Sequence, residues 1–139
     1  MEWTYNNASI NDEMLRDYVA FVYLIENTKT GRKYIGKKRL FFVSRKKVKG
    51  RKNRKVVKKH SDWKTYYGSN KTLETDRLLY GDDVFKRTIL CLCKSLGEAS
   101  YHEARLQFEN NVLLDDMWYN EWIMVKTHKS HLKQPKEKK

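Results

Sequence analysis

Two short apolar runs separated by a turn place the first constraint on this chain. In Phe21-Val22-Tyr23-Leu24-Ile25 both alternations are apolar: Val19, Phe21, Tyr23 and Ile25 share one side of an extended strand, and Ala20, Val22 and Leu24 share the other. Such a run reads as a strand buried on both faces. Asn27-Thr28-Lys29-Thr30-Gly31 then supplies turn formers and a glycine for positive φ, and the chain returns through Tyr34-Ile35-Gly36. A hairpin with one tyrosine on each arm is the expectation.

The rest of the pattern fills in an α+β domain. Val84 to Cys93 reads as a third strand, giving a small antiparallel sheet of about three strands flanked by helices. Ser69 or Asn70 caps a helix through Leu73, Leu78 and Leu79 that stops at Gly81. Ser95 and Glu98 have capping-box spacing and open a longer helix running toward Leu114. On it Ala99, Glu103, Leu106, Asn110 and Leu113 form one inward stripe, so the Glu103 carboxylate needs a partner: Arg105, Arg87 or a lysine on one reading, a divalent cation on the other. Residues 1–18 are expected as a leader on the core edge, with Ser9 or Asn11 capping a short helix. Residues 19–125 form the domain and 126–139 a basic tail, disordered past Pro135. Met117 to Val125 is apolar enough to return to the core, carrying Asn120 with it.

Charge narrows the partners. The chain has 139 residues and a net charge of +13, and more than half of its 30 lysines and arginines lie between Asn27 and Ser61, a stretch without one acidic residue. Lys37, Lys38, Arg39, Arg45, Lys46, Lys47, Lys49, Arg51, Lys52, Arg54, Lys55, Lys58 and Lys59 belong to it, with Lys64 just beyond. Leu40-Phe41-Phe42-Val43 anchors its start, and residues 44–60 form a long basic insert after the second strand, as a mobile loop or a basic hairpin. Cations packed this densely repel one another unless a polyanion arrives, which points to nucleic acid and to salt-dependent binding. Trp63, Tyr66 and Tyr67 lie beside the insert and either stack on bases or close the core. No run is long enough for a membrane span and no signal peptide is evident, so an intracellular protein is expected. Cys91 and Cys93 read as buried small residues, with a zinc set completed by His128 and His131 as the weaker alternative.

Phe21-Val22-Tyr23 followed by Tyr34-Ile35-Gly36 resembles the paired tripeptides that name the GIY-YIG nuclease family; the first keeps only its tyrosine and the second is complete. The order Tyr-Gly-Ser-Asn-Lys-x-Leu, a helix ending in Tyr-Gly, then Phe-Lys-Arg-x-Ile-Leu, resembles the middle of phage and intron-borne members. The resemblance implies a metal-dependent DNA endonuclease, phage-encoded and homing-type, acting in the bacterial cytoplasm, with dimerisation on DNA where two cuts are made. It implies site residues Tyr23, Tyr34, Glu103 and Asn120, with Glu103 holding a single Mg²⁺ or Mn²⁺. The family arginine has no clear counterpart; Arg39 is the first candidate, then Arg45 or Lys64. Lys37, Lys38 and Arg39, directly after Tyr34, are expected to favour its phenolate as a general base. A non-catalytic nucleic-acid binder on the same scaffold is the other reading.

Overall fold

The computed structural model describes residues 1–132. In chain order its elements are β1 (Trp3–Tyr5), β2 (Ala8–Ser9), β3 (Ala20–Asn27), β4 (Lys33–Arg39), β5 (Phe41–Lys46), β6 (Lys55–His60), α1 (Lys71–Tyr80), β7 (Phe85–Cys93) and α2 (Leu96–Glu109). β3 is the central strand, with β4 and β7 antiparallel on either side. Its alternation decides the layering. Phe21, Tyr23 and Ile25 enter a core with Trp3, Trp63, Leu73 and Phe85, while Ala20 and Val22 enter a second core with Ile35, Ala99 and Val112.

The sheet is larger than three strands. Its order is β2-β1-β7-β3-β4, with β1 parallel to β7, so it is mixed rather than purely antiparallel. The stretch expected as a leader supplies the extra strands, because Trp3 is worth burying: it is 4% exposed, its indole N–H donates to Trp63 O at 2.8 Å, and its ring meets Phe21 and Tyr23 edge-on at 5.1 and 5.4 Å. Asn6 and Asn7, both at positive φ, turn the chain between β1 and β2. Residues 11–17 are turns rather than a helix, with Asn11 Oδ1 accepting from the Met14 N–H at 2.9 Å.

The basic insert is a hairpin. β5 and β6 pair from Phe41–His60 out to Lys46–Lys55 as a separate two-stranded ribbon. Buried Leu40 and the hydrogen bonds that Ser61 donates to Arg39 O and Leu40 O hold its base. In β7 the pairing with β3 slips at Leu90: Val22 faces Cys91 but Tyr23 faces Ile89. The bulge reverses the alternation of β7, so Ile89 points to the aromatic core and Cys91 and Cys93 to the α2 side, their sulfurs 3.5 Å apart.

Asn70 caps α1, accepting from the Leu73 N–H, and Gly81 ends it. Ser95 caps α2, accepting from the Glu98 N–H. That helix ends at Glu109 and Asn111 turns left-handed at φ 53°, so the inward stripe runs through Ala99, Ala104 and Gln107, leaving Asn110 and Leu113 outside it. In the tail, residues 129–132 make a single 3₁₀ turn against the start of α2, with His131 over Gly97. The expectation for the end past Pro135 lies outside the described residues. Among the described residues no helix is long and apolar enough to cross a membrane.

If β1 is part of the core, Trp3→Ala should lower the unfolding free energy by about 3–5 kcal/mol in urea titration, as for other buried aromatic truncations. A loss near zero would return residues 1–9 to the status of an appendage.

Candidate active site

β4 is an edge strand, and its outward backbone groups are met by whatever the chain brings alongside. The Lys33 N–H donates to Met117 O at 2.9 Å and the Tyr119 N–H donates to Lys33 O at 2.7 Å, so the segment after α2 lies along the edge as one parallel bridge. At the next outward position a side chain replaces the backbone. Asn120 Oδ1 accepts from the Ile35 N–H at 3.1 Å and its Nδ2 donates to Ile35 O at 2.8 Å; Gln107 Nε2 donates to the same oxygen at 3.0 Å. One step further, the Glu103 carboxylate lies beside Lys37, whose Nζ is 4.0 Å from Oε1. The side chains that line the edge are thus drawn there by hydrogen bonds that β4 would otherwise lack.

They enclose an open pocket of about 580 Å³ lined by Tyr34, Lys37, Ser69, Asn70, Lys71, Glu103, Gln107, Asn120 and Trp122, among others. Glu103 enters from α2 with its side chain 15% exposed, and burial raises its pKa against the pull of Lys37, whose Nζ is 4.0 Å away. Arg87 and Arg105, the arginines expected as its alternative partners, are engaged elsewhere. Arg87 is buried between Trp3 and Tyr67 and donates to three backbone oxygens, and Arg105 pairs with Glu109.

Tyr34 enters from the opposite face. Ser69 beside its hydroxyl favours the phenolate, but burial outweighs that, and Tyr66 and Glu103 add to the upward shift. This corrects the expectation that following cations would depress it. Alternation sends Lys37 to the α2 side, where Nζ bonds Ser100 Oγ at 2.6 Å, and Lys38 is held by Asp62 at 2.6 Å over the Tyr66 ring. Behind Tyr34 lies Tyr23, 1% exposed, its ring 6.2 Å from that of Tyr34; its pKa is raised well above the usual phenol value, by burial first. Gly36 makes that arrangement possible, since a Cβ there would lie 2.6 Å from Tyr23 Cζ and 2.9 Å from Tyr34 Cε1.

Residues 3–123 match the family model described as putative endonuclease segE, GIY-YIG domain. The chain belongs to the GIY-YIG nuclease family. No curated protein and no solved structure matches it.

Within this GIY-YIG domain Tyr34, Glu103 and Asn120 meet at the one sheet edge, with Tyr23 on β3 behind the Tyr34 ring and Asn120 spending both ends of its carboxamide on Ile35. Arg39 is exposed and lines a neighbouring cleft that shares Lys37 with the Glu103 pocket. Arg45 is on the exposed ribbon, and Lys64 is directed elsewhere, paired with Asp12 at 3.4 Å. Trp63 is core and Tyr66 and Tyr67 pack against it. Among the described residues no three His, Cys, Asp or Glu side chains gather closely enough to hold a metal ion, so Cys91, Cys93, His128 and His131 do not form a zinc set.

Sequence reasoning missed Lys71 and Gln107. Lys71 is the first residue of α1, where a cation opposes the helix dipole, and that misfit was the available signal. Gln107 is one turn after Glu103 on the same helix face.

Because burial raises the folded-state pKa of Glu103 above its unfolded value, its charge costs stability above the raised pKa, and the cost fades as pH falls toward the ordinary carboxylate range. Glu103→Gln should therefore raise Tm more at about pH 8 than at about pH 4. An equal shift at both would mean that the carboxylate is not penalised by burial.

Proposed function

We propose that this domain is a metal-dependent DNA endonuclease in which Glu103 holds one divalent cation, Mg²⁺ or Mn²⁺. The observation that carries the reading is a largely buried carboxylate opposite a partly buried phenol in a pocket open to solvent, with Lys37 and Lys71 in its lining. A hard cation suits the site: one carboxylate oxygen donor and room beside it for the waters that Mg²⁺ keeps. When bound, the ion neutralises charge on the phosphate and makes a water more acidic.

The chain's own residues supply the remainder. Lys37 and Lys71 attract the phosphate and meet the negative charge that develops as the bond breaks. Tyr34 stays protonated at neutral pH and orients the attacking water; where solvent hydroxide has taken its proton, the phenolate accepts the water's proton as the water oxygen bonds to phosphorus and the sugar oxygen leaves, so the rate should rise on the alkaline side of neutrality. Tyr23, sealed beneath Gly36, holds the Tyr34 ring in place, and Asn120 fixes the backbone of β4 between them. Arg39, one cleft away, is suited to a neighbouring phosphate rather than the scissile one. The β5–β6 ribbon, with Arg45, Lys46, Lys55, Lys58 and Lys59 on its strands, grips the backbone with little base readout, which fits a homing-type enzyme of limited sequence preference, two copies meeting on DNA where both strands are cut.

Supercoiled plasmid with Mg²⁺ tests this. The parent should nick it, Glu103→Ala should abolish nicking while binding DNA nearly as well, and Tyr34→Phe should lose about a hundredfold or more. DNA binding by the parent without metal-dependent cleavage would leave only the non-catalytic binder. Neutralising the cations from Arg45 to Lys59 should weaken binding and reduce the slope of log K against log salt by about 0.9 for each phosphate that the ribbon no longer neutralises. An unchanged slope would remove the ribbon from the interface.

A further inference from the structure

Gln107 has more hydrogen-bonding capacity than the fold consumes. It is 4% exposed, its Nε2 donates to Ile35 O at 3.0 Å, and its Oε1 is buried with no partner. The carboxamide cannot be turned round, because Ile35 O only accepts and Oε1 would then face it acceptor to acceptor. Nor is the bond to Ile35 O the reason for a glutamine here, since Asn120 Nδ2 already satisfies that oxygen at 2.8 Å. An orphaned buried acceptor is destabilising, and an apolar side chain of similar length would avoid the penalty.

We infer that Gln107 is the second protein group of the cation site, its Oε1 accepting a hydrogen bond from a water bound to the ion at Glu103. This rests on the reading of Glu103 as the cation's carboxylate. Both residues line the same pocket, and they are four apart on α2, which sets their Cβ atoms about 5–6 Å apart. A water on Mg²⁺ is about 2.1 Å from the ion and reaches an acceptor about 2.8 Å beyond it, a span of about 5 Å that one helical turn can bracket. Oε1 is covered in the ion-free chain, so a water reaches it only when the lining shifts; Lys37, beside Glu103 and bonded to Ser100 Oγ, is the flexible member that the ion would move off the carboxylate and toward the phosphate. Gln107 is a positioning residue: it acts on the water shell, not on the phosphate.

Mn²⁺ titration of the full chain without DNA, by calorimetry and by the electron-spin signal of free Mn²⁺, tests the assignment on the parent, Gln107→Met, Gln107→Glu and Glu103→Ala. Gln107→Met should raise the Mn²⁺ Kd about tenfold or more, while Gln107→Glu, which keeps an oxygen and adds charge, should lower it and enlarge the Tm gain on adding Mn²⁺. A Gln107 with only a structural role would lower the metal-free Tm in both variants and leave both Kd values at the parent's, and that result overturns the inference. If the parent binds Mn²⁺ no better than Glu103→Ala does, the cation reading itself fails and this one with it.

Discussion

An edge strand buried under other structure has backbone donors and acceptors on its open side that no further strand will pair, and leaving them bare would cost the fold several hydrogen bonds. β4 is that strand. The chain answers position by position, with backbone from 117–119 at Lys33 and two side-chain carboxamides at Ile35, and the Glu103 carboxylate comes to lie beside Lys37 one step on. Polar side chains from α2 and from the segment after it are therefore brought to one line for structural reasons, and the pocket is the space that remains beside them. Asn120 shows how closely structure and site are joined. Its carboxamide imitates a peptide group against Ile35, and with both ends engaged it supports the site through β4 instead of reaching into the pocket.

That edge is also where the two faces of the sheet come within reach of each other. Tyr23 and Tyr34 belong to the aromatic layer, Lys37 and Glu103 to the α2 layer, and in the middle of the sheet the backbone of β3 would separate them. At β4 there is nothing further out, so groups from both layers share one opening. Gly36 lets the buried Tyr23 phenol lie against Tyr34, because that phenol takes the space a side chain at Gly36 would fill. A bulge at Leu90 tunes the other flank: it turns Cys91 and Cys93 toward α2 while Ile89 remains with the aromatics.

What is legible in the residues is the part encoded locally. The double alternation of β3, the caps at Asn70 and Ser95 and the stop at Gly81 each depend on side chains within a few positions, and each is found. β1 is not legible, since three residues carry no period and the parallel partner is more than eighty positions away at Arg87–Ile89. The environment of Tyr34 escapes the sequence for a different reason. Nearness along the chain does not carry over to nearness in space, because on a strand Lys37 lies on the other face and Lys38 has Asp62 to hold it. The inward stripe expected for α2 runs too far because nothing in its spacing announces the left-handed turn at Asn111.

The basic ribbon completes the division of labour. Two strands without a sheet behind them are marginally stable in water, and β5 and β6 are exposed along most of their length, joined by cations that repel one another. Their order comes from the base, where Leu40 is buried, Ser61 ties the two ends together and Lys58 covers the Phe41 ring at 4.0 Å. A polyanion laid along the ribbon removes the repulsion without needing any base edge. Because β5 follows β4 after the single residue Leu40, whatever orders the ribbon is coupled through a nearly continuous stretch of chain to Lys37, Ile35 and Tyr34. On the function proposed above, a phosphate backbone seated on the hairpin would be carried toward the edge that holds Glu103, and the long insert, which looks like an interruption between the tyrosines and the rest of the domain, would be the element that aligns substrate and pocket.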